Sequence, residues 1–492
     1  MIMDVVFING PFLDGFSRES RSPAVTKSGT LYYPAWLAYA CGYAEQNGFN
    51  CKLIDSIADK ISFEDSVKIV LESDPKIVVI GTSTPSIATD LEFAKALKSK
   101  LEKSLIILVG THASSLADQL VLDNDFIDLI ARREYDLTIV ELLTLINENK
   151  DWKNILGITY KINKNVYSNP ERPYIENLDI MPFASEIYSK HLTIGNYFYA
   201  HVRFPMISIF TSRGCNAKCT YCLYPQTMFG KFRSRSPKNI ADEFLWITKN
   251  LPKIKEVLID DDTFTMDKEH AREVARALIK NNNKILWTCE ARANLDFETL
   301  SLMKKAGCRL IVTGFESISQ EVLNNVKKGI KQSNVDDYVE SARRAGIKIH
   351  ACFMAGNPGD TMETLHATLN WALRKQNFDT AQFFPLQVYP GTAAYKWAEE
   401  TGYLKKQEFR DWVTPSGMHN MTILKNDKGL TFQECLDFCD YSRKKFYLRP
   451  SFIVSKIIGG IKEPQEFKKN LKGFFKIYKF LFKKISKEVQ PI

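Results

Sequence analysis

Residues 213–222 read RGCNAKCTYC, with Cys215, Cys219 and Cys222 packed into eight positions. A structural zinc site takes four protein ligands, and no second cysteine pair follows at matched spacing. Thiolates also hold iron–sulfur clusters, and a four-iron cluster presents four irons. Three cysteines leave one iron open, so the missing ligand becomes the place of reaction. The run FPMISIFTS delivers the chain to this loop as a strand. Strand-like and helical runs alternate after it: KEVLIDDDTF, HAREVARALIK, KILWTCEARANL, LSLMKKAG, CRLIVTGFES, VDDYVESARRAG and IKIHACFMAGNPGD. The alternation predicts a partial (β/α)6 barrel over 201–400. Functional groups of such barrels sit at the carboxyl ends of strands. Those ends hold Asp260, Asp261 and Asp262, then Glu290 and Arg292, Glu316 and Ser317, and Gly356 and Pro358.

Residues 1–150 show the same alternation, beginning with DVVFIN and continuing through KIVVIGTS and SLIILVG. Continuous apolar strands are those covered on both faces by helices, which predicts an α/β, doubly wound parallel sheet. Ligands of such sheets bind beyond the carboxyl ends at the switch point. The loops there are Asn9-Gly10-Pro11, Gly81-Thr82-Ser83 and Gly110-Thr111-His112, whose small and hydroxylated residues admit a large ligand close to the backbone. No G-x-G-x-x-G follows the first strand, which argues against a dinucleotide. Residues 151–200 read as a hairpin-like segment and a Pro-containing connector.

The rest of the composition narrows the class. The chain has 492 residues, 45% hydrophobic and 25% charged, as expected of a multi-domain globular protein. Its start lacks the basic and small-residue signature of a signal peptide, and no apolar run reaches membrane-spanning length. We expect a cytoplasmic protein. Of ten cysteines, Cys41, Cys51, Cys289, Cys308 and Cys352 lie in apolar segments and read as core residues. Cys435 and Cys439 are one helical turn apart and read as packing. The net charge of +9 is concentrated at the end, where residues 443–492 carry fourteen Lys and Arg against three acids. The remainder is slightly acidic, which disfavours a nucleic-acid surface. Residues 401–492 predict a basic helical region. In its last part Phe467, Leu471, Phe474, Tyr478, Leu481 and Ile485 form an apolar stripe opposite lysines. Such a helix either docks on the barrel or lies on the inner face of an anionic membrane.

The C-x-x-x-C-x-x-C loop, with Tyr221 before its last cysteine, resembles the radical S-adenosylmethionine (SAM) superfamily. Within it, YYPAWLAYACGYAEQNGF (with Tyr33 and Pro34), GTSTPS and LVGTHAS are similar to the cobalamin-binding domain that precedes one class of these barrels. IDDDTFTMD, GCRLIVTGFES, FMAGNPGDT and VYPGTAAY resemble that class's barrel landmarks, with Thr263 where the class has Asn. The resemblance implies a [4Fe-4S] cluster on Cys215, Cys219 and Cys222, with SAM on the open iron. SAM contacts would come from Tyr221 and from the strand-end residues above, since SAM offers an amino group, a carboxylate and ribose hydroxyls. It also implies cobalamin against Asn9, Gly10, Pro11, Tyr33, Pro34, Gly81, Thr82, Ser83, Gly110, His112 and Glu134, with His112 in the pocket wall and no protein ligand to cobalt. One departure stands out. The class has Arg-Gly-Glu-Gly-Glu after the last strand, and this chain has Arg132-Arg133-Glu134-Tyr135-Asp136, which puts bulk where backbone should approach a ligand.

The implied activity is methyl transfer from methylcobalamin to an unactivated carbon of a small-molecule or lipid-like substrate. A 5′-deoxyadenosyl radical abstracts hydrogen, and an external flavodoxin- or ferredoxin-type donor supplies electrons. Oxidative cyclisation or rearrangement with the same parts, a chain that has lost cobalamin, and a non-catalytic cobalamin sensor or carrier stay open at this point. A transfer-RNA methylthiotransferase is disfavoured because its extra cluster cysteines are not evident.

Overall fold

The computed structural model of the chain describes residues 3–375 and 378–462. Strands β1 (Val5–Asn9), β2 (Cys51–Asp55), β3 (Ile77–Thr82), β4 (Leu105–Gly110) and β5 (Leu129–Ala131) are parallel, in the order β2-β1-β3-β4-β5. The sequence of β1, VVFIN, is buried at every position. Val5 and Phe7 join one core with α1 (Ala35–Gln46), while Val6 and Ile8 join a second core with α2 (Phe63–Ser73) and α3 (Ile87–Lys98). Both faces are covered, so the strand is apolar throughout rather than alternating. Burying each such side chain contributes about 1.5–3 kcal/mol. The order in which strands are added reverses between β1 and β3, which puts the switch point at Asn9 and Gly81.

The sheet extends further than the sequence indicates. β6 (Ile158–Ile162) and β7 (Asn165–Ser168) form a hairpin that adds antiparallel to β5, giving seven strands. Residues assigned to a connector thus complete the first sheet. Helix α4 (Asp136–Asn147) follows β5, and the true connector carries α5 (Ala184–His191); both pack on α1. His191 Nδ1 accepts the Leu53 N–H at 3.4 Å, so the proton of the neutral ring is on Nε2, 3.0 Å from Glu45 Oε1 and 3.9 Å from Cys41 Sγ. These groups tie the connector to the first domain.

The second sheet has six parallel strands in chain order: β8 (Met206–Ile209), β9 (Glu256–Ile259), β10 (Leu286–Ala291), β11 (Cys308–Glu316), β12 (Lys348–Ala355) and β13 (Phe378–Pro385). Helices α6 (Pro237–Asn250), α7 (Lys268–Lys280), α8 (Phe297–Lys305), α9 (Val335–Ala345) and α10 (Met362–Arg374) make the crossovers. Several begin at a side-chain cap: Asp267 accepts from the Glu269 and His270 N–H groups, and Asp296 from that of Thr299.

The C-terminal region differs from the expected helical continuation. Residues 401–431 are largely irregular and return to the first domain, where the Phe409 ring meets His112 at 4.9 Å between centroids. Helix α11 (Phe432–Tyr447) then packs on β13, and α12 (Pro450–Lys462) follows. Cys435 and Cys439 are buried in α11. The amphipathic stripe at 467–485 lies outside the described residues. No helix among the described residues is long and apolar enough to cross a membrane.

Candidate active site

The cysteine loop leaves β8 and is held by short-range polar contacts. Asp261 accepts the backbone N–H groups of Thr211 (2.6 Å) and Ser212 (3.1 Å) and both hydroxyls. Its carboxyl is pushed up to about 6 by burial, which these four donors oppose. Gly214 has φ +79°, and a Cβ there would lie 2.3 Å from the Lys231 carbonyl oxygen, so only glycine fits. Past the loop, Gln226 Nε2 donates to the carbonyls of Cys219, Thr220 and Cys222 at 3.1, 3.2 and 2.6 Å. This clamp turns three backbone oxygens away from the thiols.

The thiols face the ends of the barrel strands. Cys215 Sγ is 3.7 Å from Thr263 Oγ1, and Arg292 Nη1 is 3.8 Å from Cys219 Sγ. Burial, the Asp262 carboxylate and the neighbouring thiols all push the Cys222 thiol well above its ordinary range. Three sulfurs on one clamped loop, beside cationic groups, suit an anionic cluster of thiolate-ligated iron.

Tyr221, Glu316 and Arg292 come together as predicted, around a residue the sequence did not mark. Lys328 Nζ lies 2.7 Å from Glu316 Oε1 and 3.2 Å from the Tyr221 hydroxyl, which itself donates to Glu316 at 2.9 Å. Arg292 also donates to the Lys328 carbonyl. A Cβ on Gly314 would be 2.4 Å from Glu316 Oε1, so the glycine makes room for the pair. Glu316 has φ +61°, an uncommon backbone for a side chain of this size, and its Oε2 is buried with no hydrogen-bond partner. Strain plus an orphaned acceptor beside the thiols marks a group that awaits a donor. A ribose hydroxyl or amino group of SAM has that chemistry. Lys328 sits in VKKGIK, where nothing distinguishes it from its neighbours.

The triple-aspartate run divides by role. Asp260 has Arg21 on Oδ1 (3.1 Å) and Tyr199 on Oδ2 (3.0 Å), and Asp261 is saturated by the loop. Here neither has an oxygen without a partner: Asp261 anchors the cysteine loop, and Asp260 holds Arg21 and Tyr199. Asp262 lies 3.8 Å from Arg21 Nε. Glu290 Oε1 accepts from Arg21 at 3.3 Å, and burial together with the neighbouring carboxylates pushes its carboxyl up to about 7 against the pull of Arg21. Ser317 is turned to Thr368 and the Ser319 N–H. Gly356, at φ +92°, backs onto Cys435, and its N–H goes to Asp360. Pro358 lines a separate cavity of about 290 Å³ with Thr220, Asn325 and Trp397. Ser317 and Gly356 are thus committed to packing beside the rim.

At the carboxyl end of the first sheet, Asn9, Gly81, Thr82 and Gly110 do line one crevice at the switch point. Gly110 has φ +107°, and a Cβ there would lie 2.5 Å from the Thr82 carbonyl oxygen. The lining includes the small and hydroxylated chemistry that a cobalamin tail needs, and the free space is about 20 Å³, with Arg18, Glu19, Trp36, Tyr135 and Tyr224 also lining it. Four predicted contacts have other duties. Tyr33 stacks between Tyr188 (4.3 Å) and Tyr197 (3.9 Å) and donates to the Met206 carbonyl, joining the two domains. Pro34 precedes α1 beside it. Glu134 forms a buried ion pair with Arg233 at 2.5 Å and accepts the Ile175 N–H. His112 is buried beneath Phe409 with Nδ1 on Thr84, and burial lowers its pKa to about 3. The Arg132–Asp136 departure resolves for one of its two bulky residues: Arg133 takes the glycine-like φ of +58° and directs its side chain to Glu171 and Tyr174 of the connector, while Tyr135 lines the crevice.

Comparison with known proteins agrees with both halves. The Radical SAM superfamily pattern matches residues 209–372 and the B12 binding domain pattern residues 21–143. The uncharacterized methyltransferase PH0819 of Pyrococcus horikoshii is 30% identical over 92% of this chain and 95% of its own. The anaerobic magnesium-protoporphyrin IX monomethyl ester cyclase of Cereibacter sphaeroides is 26% identical over 91% of this chain and 71% of its own. In fold, the radical SAM methyltransferase TsrM from Kitasatospora setae, solved with cobalamin and a [4Fe-4S] cluster, superposes with a TM-score of 0.65 at 17% identity, covering 83% of this chain and 80% of that one. With a clamped three-thiol loop and a switch-point crevice in a single chain, this protein belongs to the cobalamin-dependent radical SAM methyltransferase family, an enzyme whose cofactors are a [4Fe-4S] cluster, SAM and cobalamin.

Proposed function

We propose that the enzyme methylates an unactivated carbon of a small-molecule or lipid-like substrate lying between the barrel rim and the first-domain crevice. The cluster and SAM supply a 5′-deoxyadenosyl radical when bound, and cobalamin supplies the methyl group. The chain does the positioning. Cys215, Cys219 and Cys222 hold the cluster on a loop fixed by Asp261 and Gln226. Glu316, set by Lys328 and Tyr221, holds SAM through its open Oε2, and Arg292 places a positive charge beside Cys219. The aromatic wall of Trp36, Tyr135 and Tyr224 excludes water between the two sites.

The observation that carries this reading is the orphaned Glu316 oxygen beside three clamped thiols. Anaerobic reconstitution with reductant, labelled SAM and cobalamin against candidate extracts tests it. Label in a product heavier by one methyl-for-hydrogen exchange supports methyl transfer. 5′-Deoxyadenosine with a product of unchanged carbon count supports the cyclase or rearrangement reading, which the relationship to the Cereibacter cyclase favours as the second choice. An acidic flavodoxin- or ferredoxin-type donor is supported by the exposed Lys218 and Asn216 on the cysteine loop. Contact with the inner face of an anionic membrane is supported by α12, which exposes Ile453, Val454, Ile457 and Ile458 ahead of the basic tail. Sedimentation with anionic but not neutral vesicles checks it.

A further inference from the structure

The segment between β1 and α1, residues 10–34, runs from one sheet's carboxyl end to the other's and places an arginine in each site. Arg18 lines the first-domain crevice. Its guanidinium donates to Asp90 Oδ1 at 2.7 Å, Ser86 Oγ at 3.2 Å, the Gly10 carbonyl at 3.0 Å and Asn9. Three residues on, Arg21 enters the barrel rim. It donates to Asp260 Oδ1 (3.1 Å), Glu290 Oε1 (3.3 Å) and the carbonyls of Asp260 (3.0 Å) and Asp261 (2.6 Å). Arg21 makes every ion pair recorded for Asp260, Asp262 and Glu290 among the described residues.

These acceptors are the ones that suit a cation such as the amino and sulfonium groups of SAM, so guanidinium and SAM compete for one rim. A corrin in turn needs far more than the 20 Å³ beside Arg18. Three residues span at most about 10 Å, so a displacement of Arg18 is felt at Arg21. The segment can yield locally. Gly15 has φ +72° with no atom near its missing Cβ, while Ser22 is pinned beyond Arg21 by Tyr389 (3.1 Å) and His419 (2.8 Å).

We propose that Arg21 is a positioning residue that couples the two cofactor sites: displacement of Arg18 from Asp90 by cobalamin draws Arg21 out of the Asp260–Asp262–Glu290 rim and releases it to SAM. The proposal rests on the cofactor placement given above, and the coupling is its new content.

The test measures the SAM dissociation constant of cluster-reconstituted enzyme by calorimetry, with and without hydroxocobalamin, whose binding is followed by its visible spectrum. In the native chain cobalamin is expected to tighten SAM about tenfold, within the usual range of coupling between sites. In Arg21→Ala, SAM binds about tenfold tighter without cobalamin, and cobalamin adds less than twofold. Arg21→Gln, which keeps the length and polarity of the side chain, gives the same pattern. A native SAM affinity unmoved by spectroscopically bound cobalamin overturns the proposal. So does a tenfold loss of SAM affinity in both variants, which would make Arg21 a direct ligand. If the native protein takes up no cobalamin, the cofactor placement fails instead, and the variants in cobalamin-free enzyme still decide whether Arg21 competes with SAM.

Discussion

Both parallel sheets of this protein end in loops built for ligands, yet the two ends are finished differently. At the first sheet the polar groups satisfy one another: Arg18 with Asp90, Asn9 with Asp55, His112 with Thr84, Ser83 with Ser86. At the second, Glu316 keeps a buried oxygen without a partner and a strained backbone. The first end is built for recognition by shape, from glycines and hydroxyls. The second end recognises by charge, through acceptors fixed in advance. A large cofactor with few charges and a small one with several call for those two solutions.

Substitutions at the second end are expected to have the larger chemical effects. Changing Cys222 to alanine removes one of three ligands from an already incomplete set. Iron content of anaerobically reconstituted protein is expected to fall to background, with 5′-deoxyadenosine below detection. Iron retained at native stoichiometry would break the assignment of the loop.

The next largest effect falls on stability, at a residue the resemblance placed in the first site. Glu134→Gln unpairs Arg233 in the interior, and stranding one partner of a buried pair costs about 3–5 kcal/mol. Urea unfolding should show a loss of unfolding free energy of that size. Cobalamin uptake at low denaturant should be unchanged, because Glu134 faces Arg233 and the connector. A selective loss of uptake would return Glu134 to the crevice.

Glu316→Gln keeps the shape and removes the charge. Hydrogen bonds involving a charged group are worth about 1.5–3 kcal/mol, so SAM affinity should weaken by about 10- to 150-fold. Lys328→Met should act in the same direction, since it frees Glu316 from its fixed rotamer. If neither variant changes SAM binding, the orphaned oxygen is structural and the contrast between the two ends disappears.

The fold was legible because both sheets are buried on two faces, and that condition writes itself into sequence as unbroken apolar runs such as VVFIN and IVVIGT. The hairpin β6–β7 was harder to place, since an edge added to an existing sheet needs few apolar residues: the pattern of NVYS is mostly exposed. At the site, the cysteine spacing was sufficient because all three ligands come from one loop. The present partners of Asp260 and Asp261 were not legible, because a strand-end carboxylate looks the same whether it faces a cofactor or a distant Arg21 or Thr211. Arg18, Arg21 and Lys328 carry no local signal at all. Their roles arise from segments 239 residues apart, as between Arg21 and Asp260, or from a helix end that passes the thiols.

The smallest expected effect concerns Arg133, where the family resemblance implies glycine. A left-handed backbone costs a side-chain-bearing residue about 1–2 kcal/mol, and Arg133 holds φ +58° while its guanidinium pairs with a half-exposed Glu171 at 2.8 Å. Arg133→Gly relieves that strain but frees more backbone in the unfolded chain and loses an exposed pair worth about 0–1 kcal/mol. The terms nearly cancel, so the unfolding free energy should move by less than about 1 kcal/mol in either direction. Cobalamin affinity should stay within twofold, because the arginine already points to the connector. A large gain in cobalamin binding would mean instead that its bulk obstructs the crevice, and the first end would then be closed by a second arginine besides Arg18.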